Sequence, residues 1–186
     1  MDFPRTIQAM QSMGFDVVRK GKRILKRKKK LTKSKGLYKG FNYNVKKDAR
    51  GVTLEFVFGK AKKYWQFVDE GVRGSGGFKG SGRARGKGSP FKFKKQNIKK
   101  GVVAKWIQNK PLRLRGVDGK FLAKTKANID SASFVIGRAI AQRGLERTQF
   151  FSRPYEQEID EDVITRAFAD DIERHLDSDL KDMNLI

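Results

Sequence analysis

An α+β protein is expected, and three features of the sequence lead there. Residues 3–31 repeat apolar side chains every three or four positions, which predicts a long N-terminal helix. Residues 41–58 alternate apolar and polar on both sides of a turn that ends in glycine, which predicts an antiparallel hairpin. Beyond residue 97 the helical period returns in three separate stretches, which predicts helices packed on a small sheet.

Along the chain, Asp2 is expected to cap the first helix, with Pro4 in its first turn, where a missing N–H is harmless. Phe3, Ile7, Met10, Val17, Ile24 and Leu31 form its stripe. Gly14 and Gly21 fall on that stripe and imply interruption or close packing there. From Arg19 onward the other faces are nearly all basic. Such a half-helix needs water, phosphate or carboxylates around it. In the hairpin, Phe41, Tyr43 and Val45 lead to Asp48-Ala49-Arg50-Gly51, and Val52, Leu54, Phe56 and Phe58 return to Gly59. Tyr64–Gly71 is expected as a third strand or strand-like turn. Residues 71–96 are rich in Gly, Ser, Lys and Arg, with Phe78, Phe91 and Phe93 among them, and predict a long irregular loop or insertion.

A short helix over 98–109 follows, capped by Asn97 and stopped by Pro111, with Ile98, Val102, Trp106 and Ile107 on one face. Residues 111–128 suggest a small hairpin or loop. A helix over 131–143 is expected next, capped by Asp130, with Val135, Ile136, Ala139 and Ile140 buried and Gly144 as its left-handed terminator. The last helix starts near Ser152 or Arg153, with Pro154 in its first turn. Ile159, Val163, Ala167, Ile172 and Leu176 form its stripe, with Ile164 and Phe168 beside it. Acids crowd its start, as the helix dipole favours. Residues 178–186 are expected to fray. The whole, 1–186, is expected as one domain, with an N-terminal helix and basic end over 1–35.

Charge bounds the function. The 186 residues carry 43 Lys or Arg against 20 Asp or Glu, a net charge of +23 and a pI of about 10.4. Residues 156–182 hold eleven acids and three bases, a local −8, which leaves 40 bases and nine acids elsewhere, or +31. Arg19–Lys35 packs eleven bases into 17 residues with no acid. A body this basic suits phosphate or another anionic surface, and an acidic end suits a protein partner or a second copy. No cysteine is present, which excludes disulfides, thiolate zinc sites and a cysteine nucleophile; His175 is the only histidine, which excludes a two-histidine metal site in one chain. No apolar run approaches a membrane span and no signal peptide is visible, so a soluble protein made inside the cell, with no membrane partner, is expected.

Catalytic and cofactor motifs are absent. Gly86-Lys87 fails the phosphate-loop pattern, with Ser81 at the required glycine and Gly88 at the required Ser or Thr. Gly74 and Gly76 are followed by Lys79 where a dinucleotide loop needs glycine. Asp69 and Glu70 are adjacent, and the remaining acids of the basic body lie far apart. No enzyme, no cofactor and no metal is therefore expected. A sequence-independent nucleic-acid-binding protein is an open alternative, its Gly/Arg/Phe loop stacking bases and following phosphates, although no recognisable nucleic-acid-binding motif stands in the chain.

Four stretches, taken in order, resemble bacteriophage tail-completion and head–tail joining (neck) proteins of the lambdoid minor tail-component type. Tyr64-Trp65-Gln66-Phe67-Val68-Asp69-Glu70-Gly71 resembles their aromatic–Val–Glu–Phe–Gly segment, with Asp69-Glu70-Gly71 in place of Glu-Phe-Gly. Val103-Ala104-Lys105-Trp106-Ile107 resembles an I-x-x-W-I helix. Phe134–Ala141 with Arg143-Gly144-Leu145 resembles their A-x-x-I-A-R helix and its glycine end. Thr148–Pro154 resembles the element that opens their C-terminal helix, with Gln149 where proline is common. Together these span 64–176.

The resemblance implies an α+β fold and a homo-oligomeric ring, commonly a hexamer, at the head–tail junction of a virion assembled in the host cytoplasm. Neighbouring neck and tail proteins and double-stranded DNA would be its partners. Lys26, Arg27, Lys28, Lys29 and Lys30, or Arg83, Arg85 and Lys87, would then face the DNA or the lumen. Tyr64, Trp65, Asp69, Glu70, Asp170, Asp171 and Glu173 would lie at subunit interfaces. Phe150 and Phe151 would anchor the last helix under the sheet.

Overall fold

A computed structural model describes residues 2–27, 36–48, 51–77, 83–95, 97–109 and 113–183. Its elements are α1 (Pro4–Arg27), α2 (Leu37–Gly40), β1 (Asn42–Asp48), β2 (Gly51–Val57), α3 (Trp65–Asp69), β3 (Val72–Arg73), α4 (Lys100–Asn109), β4 (Leu114–Arg115), β5 (Phe121–Leu122), α5 (Lys126–Arg143), β6 (Gly144–Leu145), α6 (Ser152–Glu158) and α7 (Glu161–Asp182). The fold is α+β. Where the sequence suggested one domain, the chain divides into two compact units, residues 1–65 with 148–186 and residues 66–147.

The first unit forms around α1. Its buried side is Met13, Gly14, Val17, Val18, Gly21 and Leu25, with Thr6 near the start. That face is turned from the expected stripe, for Phe3, Ile7, Met10 and Ile24 are only part-buried. Leu31 lies outside the described residues. Gly21 is required by close approach: a Cβ there would stand 2.5 Å from the carbonyl oxygen of Phe150 and 2.6 Å from the Phe41 ring. β1 and β2 pair antiparallel, Tyr43 opposite Phe56 and Val45 opposite Leu54, and these four turn inward as the alternation requires. The register puts Asp48 opposite Gly51, so Ala49 and Arg50, which lie outside the described residues, connect the strands.

Aromatic rings close this core. Phe41 stacks on Phe58 at 5.3 Å, and Phe58 on Trp65 at 4.2 Å. Phe150 meets Phe41 edge-on at 5.3 Å, and Phe151 meets Phe56, Phe58 and Trp65 edge-on. Phe150 and Phe151 thus fasten the start of α6 to the hairpin, as expected.

The single C-terminal helix expected from the sequence is two. Ile159 is extended, and the Asp160 carboxylate accepts from the N–H groups of Asp162 and Val163 at 3.0 and 3.3 Å, which starts α7 afresh. α7 continues to Asp182, beyond the point where fraying was expected; residues 184–186 lie outside the described residues. α6 and α7 both pack on α1. Lys20 pairs with Glu158, Arg5 pairs with Asp170, Phe3 stacks on Phe168 at 5.4 Å, and Asp2 meets His175. The expected stripe is only partly covered. Ile159, Ile164, Ala167 and Ile172 are part-buried, while Val163 and Leu176 are exposed.

The cap of α1 also differs from expectation. Asp2 is exposed and pairs with Lys47. The first free N–H groups of α1 instead meet a carboxylate from α7. Asp171 accepts from the Arg5 N–H at 3.2 Å, from the Thr6 N–H at 2.9 Å and from the Thr6 hydroxyl at 2.8 Å. A buried carboxylate there satisfies orphan donors and meets the positive end of the helix dipole.

The second unit has an aliphatic core of Val103 and Ile107 from α4, Leu114 from β4 and Ile129 from α5, extended by Ile98, Ala104, Ala132 and Ile136. Val102 and Trp106, expected on the buried face of α4, are exposed, since the burying positions are one residue further on. Asn97 is not the cap: α4 starts at Lys100, and the Asn97 Oδ1 is buried without a hydrogen-bond partner. Pro111 lies outside the described residues. α5 starts five residues before the expected position because Thr125 Oγ1 accepts from the Asn128 N–H at 3.3 Å, so Asp130 is inside the helix. Its buried line is Ile129, Ser133, Gly137 and Ala141, and Val135 is exposed. Gly144, with φ 92°, ends the helix as expected.

Candidate nucleic-acid interface

Helical spacing builds a basic face on α1. Phe15, Arg19, Lys22, Arg23 and Lys26 follow at steps of four, three, one and three, so they share one side, next to the buried side. Across from them stand Tyr38 on α2 and Asn42 and Tyr43 on β1. Together these residues and Val18 line an open groove of about 450 Å³. Its cations are set against rings: the Arg19 guanidinium lies 5.6 Å from the Phe15 centroid, and the Lys22 ammonium 5.9 Å from that of Tyr38. Arg19 also pairs with Asp16 at 2.7 Å, one turn earlier. Lys22, Arg23 and Lys26 have no carboxylate partner among the described residues.

Chemically this is a strip of positive charge with aromatic walls. It suits a polyanion whose phosphates follow the cations while flat groups rest on the rings. Nothing in it resembles a catalytic arrangement, and among the described residues no group of three His, Asp or Glu is placed to hold a metal ion. No helix of the described residues is long and apolar enough to cross a membrane.

The sequence-derived DNA-facing residues divide between the units. Lys26 and Arg27 are exposed at the end of α1, with Lys26 in the groove. Lys28, Lys29 and Lys30 lie outside the described residues. Arg83, Arg85 and Lys87 are exposed in the second unit. Their backbone is held rather than loose. The Arg85 N–H donates to the Arg143 carbonyl at 2.8 Å, and Arg143 Nε donates to the Arg83 carbonyl at 2.9 Å. Further on, the Arg73 N–H donates to the Phe91 carbonyl and the Phe93 N–H to the Arg73 carbonyl, so residues 91–93 run beside β3, which itself pairs with β6. Ser89 Oγ donates to the Gly71 carbonyl at 2.9 Å. The expected irregular insertion is therefore ordered against β3 over 83–93.

Most of the expected interface residues have work inside their own unit. The segment at 64–71 is the helix α3 and a glycine turn, not a strand; Gly71 has φ 75°. Trp65 belongs to the aromatic core, Tyr64 and Glu70 are part-buried, and Asp69 is buried. Asp170 pairs with Arg5, and Asp171 is 1% exposed at the start of α1. Burial acts to raise the Asp171 pKa, but the hydrogen bonds from Thr6 and Arg5 and the charge of Arg174 outweigh it, and the net shift is downward. Asp69 and Asp171, expected at subunit interfaces, are buried within this chain. Glu173 remains exposed.

Sequence reasoning singled out the basic run from Arg19 onward but did not join Phe15, Tyr38 or Tyr43 to it. The spacing of Phe15, Arg19, Lys22 and Lys26 was a usable signal; the wall supplied by α2 and β1 was not, because it depends on tertiary folding. Compared with protein-family models, curated proteins and solved structures, the chain matches none.

Proposed function

We propose that this chain is a structural, non-catalytic virion protein of a tailed bacteriophage. It forms a homo-oligomeric ring, commonly sixfold in such proteins, at the head–tail junction and joins tail to head around the DNA channel. The ordered resemblance of residues 64–176 to neck proteins supports this reading. The observation that carries it furthest is the groove, a basic strip on a chain that holds eleven of its 20 acids in one C-terminal segment. In this reading Lys22, Arg23 and Lys26 face channel DNA through phosphate contacts, which carry no sequence preference.

The test is negative-stain microscopy of particles from a virus lacking this gene. Filled heads beside separate, finished tails are the expected result; normal joined virions would overturn it. The groove also favours a second reading, a sequence-independent nucleic-acid-binding protein, and joined virions would leave that one standing. For either reading, replacing Arg23 or Lys26 with Gln should reduce the salt slope of DNA binding by about 1 each. Unchanged slopes would remove the groove as the DNA contact. Replacing Lys26, Arg27, Lys28, Lys29 and Lys30 together with Gln and measuring DNA retention in particles tests the same helix end in its assembled setting.

A further inference from the structure

The end of α7 carries an uncovered surface. Leu176, Leu180 and Met183 follow at steps of four and three and share one side. Leu176 is 53% exposed and Met183 60%, with Leu180 part-buried between them. Asp177 and Asp179 are exposed beside them, with Glu173 one turn earlier. The result is a short apolar stripe edged with carboxylates.

The second unit carries its counterpart. The β4–β5 hairpin and α5 enclose an open groove of about 420 Å³. Leu122, Val135 and Ile136 supply apolar wall, and Arg113 and Arg115 line it as well. Both guanidiniums lie over the Phe121 ring, at 5.3 and 4.8 Å from its centroid. Stacking of this kind fixes the plane of an arginine and leaves its N–H edge for a carboxylate. Neither arginine pairs with an acid among the described residues.

We propose that the end of α7 from one copy seats in this groove of a second copy. Leu176 and Leu180 enter the apolar part, and Asp177 and Asp179 meet Arg113 and Arg115. Charge complementarity selects this occupant, since residues 156–182 carry a local −8 and the remainder of the chain +31. The mode is an amphipathic helix laid in a groove. Each copy offers a different surface on each side, so the contact is head-to-tail and generates a ring if the rotation closes. This inference rests on the ring reading above.

The absence of cysteine makes the test direct. Chains carrying Leu176→Cys are mixed with chains carrying Val135→Cys and oxidised. A mixed dimer in at least about tenfold excess over a mixture with Gln8→Cys, an exposed position on α1, is expected. Adding Asp177→Lys and Asp179→Lys should reduce that yield about tenfold, and Arg113→Glu with Arg115→Glu on the other chain should restore it. No excess of mixed dimer overturns the contact, and so does insensitivity to the charge reversal. A chain carrying both cysteines that links only to itself, independent of dilution, also overturns it. Failure here with unjoined heads and tails in the gene-deletion virus sinks the contact alone; mixed dimers with joined virions sink the neck reading alone.

Discussion

In the first unit Phe41 lies against the rings of Phe58 and Phe150; in the second, Gly86 lies against the carbonyl of Val72. The first unit is tied by side chains, through an aromatic cluster and charged contacts between α1, α6 and α7. The second has a small aliphatic core between α4 and α5. Its remaining segments are tied by backbone, where glycines let strands and turns come within main-chain hydrogen-bond distance. Rings resist truncation in proportion to the contacts they lose. Backbone seams resist any added side chain at all. The aromatic cluster of the first unit and the backbone seams of the second should therefore fail under opposite kinds of substitution.

Truncation in the first unit gives the largest expected effect. Phe150→Ala removes a fully buried ring and should cost about 3–5 kcal/mol in chemical denaturation. Hydrogen exchange should show the loss in α1 and the hairpin, with the α4–α5 amides keeping their protection. Equal loss in both units would break the comparison. Addition in the second unit comes next. Gly86→Ala places a methyl 2.4 Å from the Val72 carbonyl oxygen at φ +67° and should cost about 1–3 kcal/mol. Exchange should rise over 83–93, with the aromatic cluster unchanged.

A polar contact refines the picture. Asp171→Asn should cost the first unit about 1–3 kcal/mol at neutral pH, because buried N–H groups of α1 lose their charged acceptor. The Asp171 pKa is depressed on folding, so its contribution is fully present above the unfolded aspartate value of about 3.9 and is lost as pH falls through the lower, folded value. Acid unfolding followed by circular dichroism should be less steep in Asp171→Asn than in the parent chain; identical curves would show that another group controls it. The smallest effect belongs to the exposed Lys46–Glu55 pair. Lys46→Ala should leave the denaturation midpoint unchanged within error, since the pair is open to solvent.

The difference between the units also explains what could be read in advance. The hairpin and the long N-terminal helix were legible, because alternation and period are properties of side chains. Gly14 and Gly21 were legible as close-packing sites for the same reason. The start of α5 at Thr125 and the helical form of 65–69 were not. A cap depends on one local hydrogen bond, and an aromatic segment as short as Trp65–Val68 suits a strand or a helical turn alike. The attachment of 83–93 to β3 left no sequence signal beyond glycines, which mark tight places without naming the partner. Of the candidate site, the basic half was visible in the charge run from Arg19 onward. Tyr38 and Tyr43 joined it only through the fold.

The place of Asp171 has a consequence for synthesis. The first unit is discontinuous: its opening helix is completed by a carboxylate 166 residues away from Arg5, on α7. The second unit is one unbroken stretch and has all its parts when residue 147 has emerged. During translation the middle of the chain is therefore equipped to fold before either end. The N-terminal segment waits for the C-terminal segment, which brings Asp171 to the start of α1. That long-range closure makes the first unit the slower one to form.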